Sequence, residues 1–143
     1  MNLVKVLVVD DSAARQQTYK VTLSRYKCEI SSALCVQEGL DYLASNPDTN
    51  LLIVDIKMPR MSGLEFIKKV KEQETYSNIP IIIVYAKTNE DDAKEALTFA
   101  QGNLRKPFTS NEVHTLIESL FPQTALRAFC HERYLLAEVS GQV

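Results

Sequence analysis

The chain has 143 residues, 45% of them hydrophobic, with 4 Gly and 5 Pro, which suits one domain with a full core and argues against disorder. Its formal net charge of -2 gives no general attraction for nucleic acid or anionic lipid, and no window approaches the roughly 18 apolar residues of a membrane span. The amino terminus enters a strand at once, without the order of a signal peptide, and Cys28, Cys35 and Cys130 show no CxxC spacing, so a cytoplasmic protein with reduced, non-ligating thiols is expected.

Leu3 to Val9, broken only by Lys5, reads as a first buried strand that ends on two adjacent acids, Asp10 and Asp11. Ser12 is placed to cap a helix through about Tyr26, with Tyr19, Leu23 and Tyr26 on one face. Cys28 to Ala33 is a partly polar strand that suits a sheet edge, and a helix from about Val36 to Ala44 turns Leu40 and Leu43 inward. Leu51 to Val54 is the short continuous apolar run of a strand buried on both faces, and it delivers Asp55 at its carboxyl end. Pro59 restrains Met58 to extended geometry, Gly63 permits a positive φ, and residues 56 to 63 therefore read as a β-to-α loop. A third helix spans about Leu64 to Glu74, with Phe66, Ile67 and Val70 as its apolar set.

Pro80 opens the most apolar strand, Ile81 to Ala86. Asn89 is expected to cap a helix to about Ala100 whose first turn is acidic, as the dipole favours. A faint strand at Asn103 to Arg105 leads to Lys106, Pro107 and Phe108, and a last helix runs from Ser110 through Leu120. Strands alternating with helices imply an α/β fold, a doubly wound five-stranded parallel sheet of flavodoxin-like order 2-1-3-4-5 with right-handed crossovers. Strands one and three are then neighbours at the switch point, which brings Asp10, Asp11 and Asp55 to the edge where ligands bind in such sheets.

Two carboxylates about 4 Å apart repel by roughly 4 kcal/mol at a surface-like dielectric, and a third raises the cost. Either one carboxyl is protonated or a hard divalent cation sits among them, and an open site with oxygen ligands suits Mg²⁺. Lys106 has the reach to present an ammonium to the same pocket. Metal and ammonium facing a free carboxylate oxygen would form a cradle for a phosphoryl group, with the carboxylate as in-line nucleophile.

VVDDS (8 to 12), DIKMPRMSG (55 to 63), IPIIIVYAK (79 to 87) and LRKPF (104 to 108) follow one another at informative separations. Through them the chain from residue 3 to about 121 resembles the receiver domain of two-component response regulators, of the chemotaxis-regulator kind. The resemblance implies phosphorylation on Asp55, Mg²⁺ held directly by Asp11 and Asp55 with the backbone carbonyl of Lys57, Asp10 acting through metal-bound water, and Lys106 on the phosphoryl group. It further implies a histidine kinase, a phosphotransfer protein or a small acyl phosphate as donor, and a downstream effector or output domain as partner. The helix four, strand five, helix five face is the surface expected to respond.

Two positions depart from the family pattern. Tyr85 stands where the family carries Ser or Thr, and Asn103 where it usually carries Tyr or Phe. A phenolic hydroxyl reaches further than a threonine hydroxyl, so Tyr85 overshoots the phosphoryl oxygen unless its ring turns outward. The expectation is that Tyr85 supplies from strand four the ring normally supplied from strand five, with the small Asn103 leaving room.

Lys57 and Lys87 read as solvated loop lysines, His114 as a surface residue of the last helix and His131 as a polar position on the tail. Residues 1 to 121 form the receiver, and residues 122 to 143 form an extension that is an accessory helix, a homodimerisation element or a linker to an output domain. The competing reading is a degenerate receiver that serves as a phosphorylation-independent scaffold. A haloacid-dehalogenase-type phosphatase would need a second acid two residues after its nucleophile, which DIKMP lacks, and a flavin site would need a Ser/Thr/Gly-rich loop where this chain has DDSAAR. The expected molecule is a signalling module that catalyses only its own phosphorylation and dephosphorylation.

Overall fold

The computed structural model describes residues 4–121 apart from positions 59 and 61. Five strands and five α-helices alternate: β1 (Val4–Val9), α1 (Ala13–Leu23), β2 (Cys28–Ala33), α2 (Val36–Ser45), β3 (Leu51–Asp55), α3 (Gly63–Glu72), β4 (Ile81–Tyr85), α4 (Glu90–Leu97), β5 (Gly102–Arg105) and α5 (Ser110–Leu120). The strands form one parallel sheet in the expected order β2-β1-β3-β4-β5. The extension from residue 122, with Cys130, His131 and the helix expected there, lies outside the described residues, as does Pro59.

Alternation along the central strands divides the core in two, because successive side chains of a strand point to opposite faces. Leu7, Val9, Leu52, Val54, Ile81 and Ile83 meet Val36 and Leu43 of α2, Phe66, Ile67 and Val70 of α3 and Ala93 and Ala96 of α4. On the opposite face Val6, Val8, Ile53, Ile82 and Val84 meet Tyr19 and Leu23 of α1 and Val113 and Ile117 of α5. Burial on both faces is what the uninterrupted run Leu51 to Val54 records.

Several boundaries move by a few residues. Ser12 caps α1 by accepting from Arg15 N at 3.1 Å, but the helix ends at Leu23 rather than Tyr26. Asn89 makes no side-chain bond to cap α4. Its Oδ1 accepts from Ala86 N at 2.7 Å and holds a 3-10 turn over Lys87–Asn89 before a helix that closes at Leu97. Thr109 and Glu112 form a reciprocal capping box at the start of α5.

Gly63 is the first residue of α3, and its role differs from the expected positive φ. A Cβ there would lie 2.1 Å from Asp55 O and 2.8 Å from Ile56 Cα, so the glycine is required by close approach of α3 to the end of β3. Among the described residues of this loop, Arg60 is left-handed, at φ 71°.

Candidate functional site

The carboxyl ends of β1, β3 and β5 gather the acids and the lysine around a cavity of about 510 Å³ lined by Asp11, Arg15, Asp55, Lys57, Met58 and Lys106. Asp10, Asp11 and Asp55 each offer a carboxylate oxygen, all within 4.8 Å of one another. Asp10 and Asp55 are each 1% exposed, whereas Asp11 is open to solvent. Hydrogen bonding fixes each buried carboxylate. Asp10 Oδ1 accepts from Ser12 N at 2.9 Å, and Asp55 Oδ1 accepts from Lys106 Nζ at 3.0 Å and from Lys57 N at 3.3 Å.

Two forces oppose each other at Asp55. Burial raises its carboxyl above the ordinary value of 3.8, the Lys106 ammonium lowers it, and the neighbouring Asp10 charge adds to the rise. The upward push wins.

Lys106 reaches the site because the chain just past β5 is anchored at two points. Its backbone N donates to Tyr85 O at 2.8 Å, and Phe108, beyond the cis Lys106–Pro107 bond, stacks on Tyr19 of α1 with ring centroids 5.9 Å apart. Tyr19 and Tyr26 are therefore core residues, 1% and 2% exposed. His114 is half-buried rather than superficial, with its ring nitrogens 3.0 Å from Thr22 O and 3.1 Å from Arg25 Nη1.

Two site residues were not singled out by the sequence reading. Arg15 sets Nε 2.7 Å from Asp10 Oδ2 and Nη2 3.2 Å from Asp10 Oδ1, with Nη2 also 3.5 Å from Asp55 Oδ2. The Asp10 hydrogen bond is the largest influence raising the guanidinium's pKa above its ordinary value. Gln16, 4% exposed, aims Nε2 at Val8 O, Asp10 O and Ala33 O, each at 3.0 Å, and so pins α1 to the ends of β1 and β2. Gln16 shares a helical face with Tyr19 and Leu23, and a polar residue on an apolar stripe was the available signal.

Neither atypical position lines the acid cavity, although Tyr85 directly follows Val84, the register partner of Asp55. Tyr85 is half-buried against the apolar layer beneath α3 and α4, and it does not line the acid cavity. Asn103 is exposed and borders a groove with Asn111, Thr115 and Leu116 of α5. The register Ile83↔Asn103 and Tyr85↔Arg105 sets both on one face of adjacent strands.

The oxygen-only donor set, with one solvent-open carboxylate beside two buried ones, fits a hard divalent cation. Among the described residues no helix is long and apolar enough to cross a membrane.

The chain matches known proteins over most of its length. Residues 6–118 match the family model described as the response regulator receiver domain. The chemotaxis protein CheY homolog of Campylobacter jejuni is 36% identical over 118 residues, which is 81% of this chain and 91% of the relative. Protein PilG of Pseudomonas aeruginosa is 31% identical over 121 residues, covering 82% of this chain and 87% of that protein. Among solved structures, Vibrio cholerae chemotaxis protein CheY4 superposes with a TM-score of 0.72 at 29% identity, over 82% of this chain and 98% of the other.

Proposed function

The chain belongs to the response regulator receiver domain family, a phosphoacceptor module of two-component signalling, and from that premise we propose that Asp55 is its phosphoacceptor. The observation that carries this is the Lys106 Nζ–Asp55 Oδ1 contact of 3.0 Å beside two further carboxylates at the switch point of the sheet. Lys106 Nζ and Lys57 N hold Oδ1 of Asp55, and Oδ2, approached only by Arg15 Nη2 at 3.5 Å, is the oxygen that attacks phosphorus in line.

The oxygen–phosphorus bond forms as the bond from phosphorus to the donor's leaving group breaks, and the leaving group departs with the electron pair. The Lys106 ammonium then takes charge on a phosphoryl oxygen. Asp11 and Asp55 with the backbone carbonyl of Lys57 would hold Mg²⁺, and Asp10 would act through its water. When bound, the ion supplies positive charge for the acids and the transferring group. The donor is a histidine kinase, a phosphotransfer phosphohistidine or a small acyl phosphate.

The chain's own residues carry out both gain and loss of the phosphoryl group, in the cytoplasm. The output is changed affinity for a downstream effector through the α4, β5, α5 face. Tyr85 and Asn103 re-route the switch, since the ring at position 85 packs against the apolar layer and does not line the acid cavity. The intact acids and Lys106 speak against a scaffold that ignores phosphorylation.

The test is intact mass after incubation with acetyl phosphate and Mg²⁺, with Asp55→Asn as control. A gain of one phosphoryl group that the variant lacks supports the reading. No gain in the wild-type protein returns the scaffold as the better account.

A further inference from the structure

Arg15, Lys57 and Lys106 line the acid pocket; Arg15 and Lys106 pair with its acids through their side chains, and of these two only Lys106 has a part in the chemistry above. Arg15 is the other. Its guanidinium forks onto both oxygens of Asp10, through Nε at 2.7 Å and Nη2 at 3.2 Å, and leans toward Asp55 Oδ2 at 3.5 Å. The last distance is a Coulombic contact more than a hydrogen bond, but the fork is the bidentate geometry in which arginine binds carboxylates best. Arg15 and Lys106 thus bring two directly paired positive charges to the three carboxylates Asp10, Asp11 and Asp55.

The attachment of Arg15 is one-sided. Its backbone N is fixed to the Ser12 cap at 3.1 Å, so the start of α1 does not need to move for the side chain to leave. The side chain is 33% exposed while its partner Asp10 is 1% exposed, so the guanidinium enters from the solvent side of a buried carboxylate. With Ser12 N already on Asp10 Oδ1, the fork leaves that carboxylate little free capacity for another cation or its water.

We propose that Arg15 is a resident counter-cation of the acid pocket, which holds Asp10 and Asp55 together in the metal-free protein and competes with the divalent cation for Asp10. The proposal rests on the receiver reading, because it takes the acid cluster to be a cation site. It adds a control on that site encoded in the first turn of α1: the metal-ready form is the minority in which Arg15 has swung out. A site whose competent form is populated about one time in ten binds its ligand about tenfold more weakly than the form itself would.

The experiment is a calorimetric titration of the full chain with MgCl₂ at fixed ionic strength, on wild type, Arg15→Met and Arg15→Lys, with melting temperatures in EDTA and in saturating Mg²⁺. Arg15→Met keeps a long apolar stem without the charge. It is expected to bind Mg²⁺ about tenfold more tightly, to melt lower than wild type in EDTA, and to gain more from Mg²⁺. Arg15→Lys keeps a charge but cannot fork and is expected to fall between the two, and it carries the comparison if Arg15→Met does not fold. Equal or weaker Mg²⁺ binding by folded variants overturns the competition while leaving the cation site standing. Absence of Mg²⁺ binding in all three proteins overturns the cation site itself, and the competition with it.

Discussion

Lys106 Nζ lies 3.0 Å from Asp55 Oδ1 and so joins the end of β5 to the end of β3 across the intervening β4. The pair mixes a carboxylate that is 1% exposed with an ammonium whose side chain is 22% exposed, so its chief role is to satisfy a buried charge. Lys106→Ala is expected to lower stability by about 1–3 kcal/mol in urea denaturation without metal, the cost of leaving a buried acceptor short of its donor. The same variant should gain its phosphoryl group roughly 100-fold more slowly, the effect of removing one donor from a developing oxyanion. A time course of intact mass with acetyl phosphate reads that rate.

Gly63→Ala is expected to cost at least about 1–3 kcal/mol, because the added methyl meets the backbone of Asp55 and Ile56 and not a movable side chain. Phosphorylation should also slow, since the collision displaces the residue that bears the nucleophile. Thermal melts together with the phosphorylation time course check both effects.

Gln16→Leu keeps the size of the side chain but leaves the Val8, Asp10 and Ala33 carbonyls without its amide. Asp10 N still donates to Ala33 O at 3.0 Å, so the strands stay joined and the loss is local. The expected cost is about 1–3 kcal/mol, with Mg²⁺ affinity reduced because Asp10 is no longer fixed. Urea denaturation and Mg²⁺ calorimetry measure the two.

The described cysteines should react differently. Burial pushes the Cys28 thiol from 9.0 up to about 11, whereas Cys35 is exposed. At pH 8 a maleimide should label Cys35 and spare Cys28 in the folded protein, read by peptide mapping. A thiol with a raised folded pKa stabilises the fold fully below its unfolded value, and that contribution is lost as pH rises through the folded one. In a Cys35→Ser background, the share of stability owed to Cys28 should therefore decline between pH 9 and about 11.

Tyr85→Thr returns a short hydroxyl to the end of β4 and removes a ring from the layer beneath α3 and α4. If that ring transmits the switch, effector affinity in the phosphorylated state should change while phosphoryl gain persists. Unchanged effector binding in the phosphorylated variant would count against a role for Tyr85 in the response.

The sheet order and the meeting of Asp10, Asp11, Asp55 and Lys106 were legible in the sequence because they follow from strand ends, and strand ends follow from apolar runs that stop at charged residues. Arg15 was not legible in the same way. A cation at the start of a helix looks like any solvated residue until the helix axis is placed, and only then does its reach to Asp10 become a contact. Gly63 was read for the wrong property: its backbone is helical, and the constraint is a carbonyl from another element, which local turn statistics do not contain. Helix α4 stopped short of Ala100 because Gln101 N turns back to Ile81 O and Gln101 Oε1 accepts from Ile81 N at 2.7 Å, a tertiary bond that outcompetes another helical turn.

Signalling through this site depends on phosphorus arriving at one particular carboxylate among three. Trapping with borohydride after incubation with acetyl phosphate and Mg²⁺ reduces an aspartyl phosphate to homoserine, which peptide sequencing by mass spectrometry then locates. Homoserine at position 55, with Asp10 and Asp11 unchanged, is the predicted result. Homoserine at position 10 or 11 instead, or none at 55 in a protein that has gained phosphate, would contradict it.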